Sequence, residues 1–170
     1  MYAEPTSSHR AEQRAYHLAP ARLPDAKGDL QLLFKSYDAA CLDFDADAVA
    51  AFYDLPCLIS TPDGNGSFTA RGEVRAAFAR LFSSYRQQGL VGASLASLQI
   101  EALSAGFAQA QAVWSLANNR GADVGSVICA YTLRHATGKW RICHAVSLGD
   151  VLPVRRATLN LATLNLTGRG

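Results

Sequence analysis

The chain has 170 residues, 49% hydrophobic and 18% charged, with a formal net charge of +2. That length suits one domain built on one core, and the composition is too apolar for a disordered chain. Arg10, Arg14, Arg22 and Lys27 against Glu4, Glu12 and Asp25 leave +1 on residues 1–28, and Arg155, Arg156 and Arg169 put +3 on residues 151–170, so the segment between carries −2. A mildly acidic body with its positive charge at the ends argues against nucleic acid as a partner, which would call for a basic stripe across the folded face.

No run of about 20 apolar residues offers a membrane helix, and the N-terminal stretch lacks the apolar core of a signal peptide, so no membrane partner is expected and the cytoplasm is the expected compartment. Cys41, Cys57, Cys129 and Cys143 show no CxxC spacing and each lies in an apolar segment, which reads as reduced core thiols.

Residues 1–28 hold three prolines and no sustained periodicity beyond a short helical stretch at Arg10–Leu18, which predicts a loosely attached arm. The folded domain is expected over 29–150. Asp29 reads as the N-cap of a helix in which Leu30, Leu33, Phe34, Tyr37, Cys41 and Phe44 recur at steps of three and four. A second short helix follows, with Asp47 as its cap and Val49, Phe52 and Tyr53 inward, stopped at Leu55-Pro56. Cys57–Thr61 predicts a strand, residues 62–66 (PDGNG) a turn, and Ser67–Ala70 the returning strand. Gly72–Gln87 is the third predicted helix, with Val74, Phe78, Leu81, Phe82 and Tyr85 on one side and Gly89 as its stop.

Four strands are then expected: Leu90–Leu103, Phe107–Asn118, Val124–His135 and Lys139–Leu148. The links between them are too short for parallel crossovers and require antiparallel hairpins. Helices first and a meander after is an α+β layout. Residues 151–170, with the near-repeat TLNLATLNL, read equally as an extra edge strand or a loose tail, because the leucine register slips by one between the copies.

Residues Asp45–Asp54 (DADAVAAFYD) and the hairpin Tyr131–Ser147 (YTLRHATGKWRICHAVS), with Gly138, Trp140, Ile142 and Ser147, carry a resemblance to the nuclear transport factor 2-like superfamily. That superfamily includes ketosteroid isomerases, scytalone dehydratases and SnoaL-type polyketide cyclases. The resemblance covers about Asp29–Leu148. It implies three N-terminal helices packed on a strongly curved, mostly antiparallel sheet that closes as a cone around a pocket. The ketosteroid isomerase pattern, laid on the chain without gaps, puts Tyr37 on the family's tyrosine. The positions of its two carboxylates fall on Thr61 and Ala130, neither of which can do a carboxylate's work.

The ligand-pocket candidates are Tyr37, Tyr53, Trp114, Trp140 and His144. Tyr37 lies on the inner stripe of the first long helix, and strand alternation groups His144 with Trp140, Ile142 and Val146. Against each stands the plainer reading of a core side chain satisfied within the protein. No catalytic residue, metal or cofactor is assigned. Cys143 and His144 are neighbours on a strand and point to opposite faces, and no HxH, CxxC, HExxH, GxSxG or phosphate-loop spacing is present.

Two functions follow. One is a pocket protein for a small, largely apolar molecule, a binder or an isomerase, dehydratase or cyclase-type enzyme, because no basic cluster suits phosphates. The other is an interaction module with a vestigial pocket, pairing as a homodimer through the open sheet face, where Val113, Leu133 and Tyr131 are expected. The discriminator is the interior: a cavity of several hundred Å³ favours the first, and a space filled by Phe44, Trp114 and Trp140 the second.

Overall fold

The computed structural model describes residues 26–150, so the Arg10–Leu18 helix and the leucine-rich repeat both lie outside the described residues. Among the described residues the order is α1 (Ala26–Leu42), α2 (Ala46–Ala50), β1 (Tyr53–Thr61), β2 (Gly64–Phe68), α3 (Arg71–Gln87), β3 (Leu90–Ala102), β4 (Phe107–Asn118), β5 (Asp123–Ala136) and β6 (Lys139–Asp150). It is an α+β fold: three helices and one six-stranded sheet in the order β2-β1-β6-β5-β4-β3. No helix among them is long and apolar enough to cross a membrane.

The helices follow their periodicity, with their ends shifted. Leu30, Phe34, Tyr37 and Cys41 form the buried stripe of α1, which starts three residues before Asp29. Asp29 therefore lies in the first turn, where its charge favours the helix dipole, instead of at the cap. Asp45, not Asp47, caps α2: its carboxylate accepts from the N–H groups of Asp47 and Ala48, both at 3.0 Å. In α3 the Glu73 carboxylate accepts from the N–H groups of Thr69 and Ala70. Ala70 has no side-chain acceptor to complete a reciprocal box.

Tyr53 belongs to β1, not to the second helix. The Ile142 N–H donates to the Phe52 carbonyl at 2.9 Å, so β6 captures the chain as soon as α2 ends. Pro56, expected as a helix stop, lies inside β1 where the ladder to β6 shifts register. The return strand β2 starts at Gly64, earlier than Ser67, because Thr61 already pairs with Gly64.

Every neighbouring pair in the sheet is antiparallel except β1 with β6, which is parallel. The helices cover one face. Alternation buries Ala108, Ala110, Ala112, Trp114 and Leu116 of β4 against them. In β5 the same face takes Val127, Tyr131 and Leu133. This corrects the expectation that Tyr131 and Leu133 stand on the open face. Tyr131 pairs with buried Ala110, whereas Val113 pairs with half-buried Ile128 on the other side. The end of α1 approaches β3 so closely that a Cβ on Gly92 would lie 2.4 Å from the Leu42 carbonyl oxygen. Asp38 accepts from the Leu95 N–H at 2.6 Å, beside the bulge of β3.

Candidate functional site

Among the described residues, one concave region lies on each side of the sheet. The inner one, between α1, α3 and strands β3–β5, is a cleft of about 80 Å³ lined by Tyr37, Cys41, Phe78, Phe82, Trp114 and Tyr131, among others. Tyr37 sits at its centre because it lies on the buried stripe of α1. Its ring meets those of Phe34, Phe52, Trp114 and Tyr131 edge-on at 5.3–6.3 Å. Edge-to-face rings of this kind fill volume efficiently.

The polar atoms inside are spent on one another. The Tyr37 and Tyr53 hydroxyls lie 3.2 Å apart, and the Trp114 indole N–H donates to the Tyr131 hydroxyl at 2.9 Å. Among the described residues no buried side-chain nitrogen or oxygen lacks a partner. Burial holds the Tyr37 phenol well above its usual range, and its neighbours Tyr53 and Tyr131 add to the shift. Burial does the same to Tyr53 and Tyr131, against the smaller opposite effect of their hydrogen bonds. The Cys41 thiol is likewise raised by burial, with Cys129 adding. These groups are neutral at physiological pH, so none supplies a base or a thiolate.

The five pocket candidates separate. Tyr37 and Trp114 line the cleft, and Tyr53 reaches it through its hydroxyl contact with Tyr37. Trp140 is buried but lies at the hairpin end of β6, its ring 5.1 Å from that of His135. His144 is on the other side of the sheet. Leu133 pairs with Ile142 and Thr132 with His144, so Cys143 is an extra residue that reverses the alternation beyond it. Ile142 and Ala145 are buried, while His144 turns outward and lies 3.0 Å through Nε2 from the Ser60 hydroxyl. Ala130 also faces outward, pairing with Val146, so the inward position beside it is Tyr131. Thr61 ends β1, where its hydroxyl donates to the Gly64 carbonyl at 3.3 Å. Asp54, near the start of β1, pairs with Arg134 of β5 across the intervening β6.

The outer region is a groove of about 600 Å³ whose walls include Gln99, Glu101, Gln109, Gln111, Thr132, Val146 and Leu148. Residue reading did not find it. The signal available was the outward set of β4, in which Gln109 and Gln111 alternate with the buried Ala108, Ala110 and Ala112. Among the described residues no group of three or more His, Cys, Asp or Glu side chains is placed to hold a metal ion.

Helices on one face of a mixed, mostly antiparallel sheet, around a small apolar interior, define the NTF2-like class, also described as cystatin-like. Residues 29–150 match the model of the family described as "NTF2-like protein (DUF6841)", and the chain belongs to that family. Solved structures agree at the level of fold. A cystatin-like protein of unknown function from Nostoc punctiforme PCC 73102 superposes with a TM-score of 0.60 at 14% identity, covering 75% of this chain and 93% of that one. An NTF2-like protein of unknown function from Shewanella oneidensis MR-1 gives 0.57 at 19%, covering 71% and 97%. A putative calcium/calmodulin-dependent protein kinase II association domain from Xanthomonas campestris gives 0.55 at 16%, covering 78% and 94%. No curated protein matches the chain.

Proposed function

We propose that this NTF2-like domain is a non-catalytic association module, in which two copies pair through the outer face of the sheet while the interior serves as a packed core. The observation that carries the reading is the contrast between the two faces: about 80 Å³ inside and about 600 Å³ outside. A cleft smaller than the roughly 150 Å³ that holds a benzene-sized molecule suits a packed core better than a metabolite site. Catalysis of the isomerase, dehydratase or cyclase kind would need a carboxylate or imidazole at the cleft, and its lining is aromatic, aliphatic and thiol.

The outer groove mixes apolar residues with amides, as association surfaces do. Leu148 is 56% exposed there, and Val113 and Ile128 are half-buried on the same face. The likeness to a protein named as an association domain fits this reading. The four thiols are free, which suits a reducing compartment such as the cytoplasm.

The test is sedimentation equilibrium of the full chain. A dimer is expected at about 10 μM, in line with the ~8 kcal/mol of a micromolar pair. Leu148→Asp should shift it to monomer with its circular dichroism unchanged. A monomer at about 100 μM would overturn the reading.

A second reading keeps the inner cleft as the site of a small apolar ligand, favoured by its apolar lining around Tyr37 and Trp114. Thermal-shift screening with Tyr37→Phe tests it. His144→Ala now serves as the control, since His144 lies across the sheet.

A further inference from the structure

The strand registers set the outward residues in rows that cross the sheet. Glu101 of β3 pairs with Gln109 of β4, Gln109 with Thr132 of β5, and Thr132 with His144 of β6. The next row is Gln99, Gln111, Ala130 and Val146. Both rows follow the outer groove, where Glu101 is the one charged wall residue among the described residues and is itself exposed. His144 ends the same row three strands away. Its Nε2 lies 3.0 Å from the Ser60 hydroxyl, which leaves Nδ1 to meet a group from outside.

We propose that two copies of the chain pair about a two-fold axis running along the strands between β4 and β5, so that Glu101 of each copy meets His144 of the other. This rests on the association reading above and gives it a register. A two-fold axis between two stacked faces keeps position along the strands and exchanges position across them. β3 then lies over the β6 of the other copy, and β4 over its β5. Glu101 falls opposite His144 and Gln109 opposite Thr132, a carboxylate with an imidazole and an amide with a hydroxyl. Three strand spacings come to roughly 14 Å, so each Glu101–His144 pair stands about 7 Å from the axis. Stacked sheets lie about 10 Å apart, a gap that a glutamate and an imidazole bridge between them. The usual rotation of about 30° between such sheets displaces the two groups by roughly 3–4 Å, within reach of the long Glu101 side chain. Other axes along the strands fit worse. One over β3 brings the two Glu101 carboxylates together, and one over β5 sets Glu101 on Leu58, the neighbour of His144 in β1.

The other ionisable side chains near His144 on β1, β5 and β6 are engaged within the chain or stand apart. Arg134 pairs with Asp54, Arg141 donates to the Ala51 carbonyl, and the Cys143 thiol donates to the Thr132 carbonyl. Cys57 is buried, and Lys139 lies at the far end of β6. Across the interface, the Glu101 carboxylate is therefore the group that answers a charged His144. An imidazolium facing a carboxylate is favoured by pairing, so the dimer holds that proton more tightly than the monomer. The added affinity is present at the acid end of the range of about pH 5 to 8 in which imidazoles titrate, and it is lost as pH rises through that range.

The test is sedimentation equilibrium of the full chain at low salt, where screening is weakest. The parent should pair about fivefold more tightly at about pH 6 than at about pH 8, the gain expected of two partly exposed ion pairs, and Glu101→Gln should remove the difference. At the lower pH, Glu101→Lys sets cation against cation at both contacts and His144→Glu sets carboxylate against carboxylate. Each variant alone should therefore pair about tenfold more weakly than the parent. Mixed in equal amounts, the two should form a heterodimer of parental affinity, because every contact then joins a base to an acid. Variants that pair as tightly as the parent, or a mixture as weak as its parts with circular dichroism unchanged, would overturn this register while leaving the association reading in place. A parent dimer of equal affinity at both pH values would overturn it without any variant. A parent that stays monomeric at about 100 μM would sink the association reading itself, so the two failures are distinguishable.

Discussion

If the interior is a dry core, the Trp114–Tyr131 hydrogen bond should behave as a buried pair with no water to replace either partner. Tyr131→Phe leaves the Trp114 N–H, now 2.9 Å from the Tyr131 hydroxyl, without an acceptor, and should cost about 1–3 kcal/mol. Trp114→Phe loses the donor and part of a buried ring and should cost about 2 kcal/mol. The double variant strands neither partner, so it should fall short of the sum by about 1–2 kcal/mol. Urea unfolding followed by far-ultraviolet circular dichroism measures all four proteins, at several concentrations so that association is separated from folding. For a chain of this length each kcal/mol should also move Tm by about 2–4 °C. A Tyr131→Phe variant within about 0.3 kcal/mol of the parent, and strict additivity in the cycle, would mean that water reaches the indole. The interior would then be a wet pocket, and the premise of the association reading would fail.

Three further outcomes test the fold around the site. Asp45→Ala removes the acceptor for two N–H groups of α2 and should cost about 1 kcal/mol in chemical denaturation; a midpoint equal to the parent's would return the cap to another residue. Gly92→Ala sets a Cβ 2.4 Å from a backbone oxygen that cannot swing away and should cost about 1–3 kcal/mol or more, whereas Gly72→Ala meets no atom within 4 Å and should be tolerated; equal effects would refute the close approach of α1 to β3. Burial raises Tyr37, Tyr53, Tyr131 and Cys41, and pushes Cys57 up from 9.0 to about 11, so the unfolded chain releases these protons first. The associated stability is present below about pH 9 and is lost as pH rises through the alkaline range; denaturation midpoints that stay flat from about pH 8 to pH 10.5 would contradict the burial of this cluster.

The helix faces and the four long strands were legible because their evidence is local. Leu30, Phe34, Tyr37 and Cys41 recur at helical spacing, and links as short as Ala136–Gly138 permit only hairpins between strands. What was not legible depends on pairing partners. Asp45 and Asp47 are equally good caps as residues, and only the turn that closes α1, with the Asp45 N–H donating to the Ala40 carbonyl at 2.9 Å, puts Asp45 at the helix start. Tyr53 looks helical until β6 pairs with it in the parallel ladder, a contact between segments far apart in sequence. Tyr131 and Leu133 lie on the covered face against expectation, because alternation says which residues share a side but not which side is covered.

The extra residue at Cys143 has the largest functional consequence. Without it, strict alternation would carry His144 to the helix face with Trp140 and Ile142, and an imidazole would sit in the interior. With it, no imidazole enters the interior from β6, and His144 joins Ser60 and Thr132 on the outer face. There the imidazole is already half-buried and already hydrogen-bonded, its Nε2 3.0 Å from the Ser60 hydroxyl. Covering a polar group costs most when the group loses water and gains no partner. A second copy can close over this part of the sheet without leaving that imidazole nitrogen unpaired. The bulge thus removes a catalytic candidate from the cleft and delivers the same side chain, prepaired, to the face proposed for association.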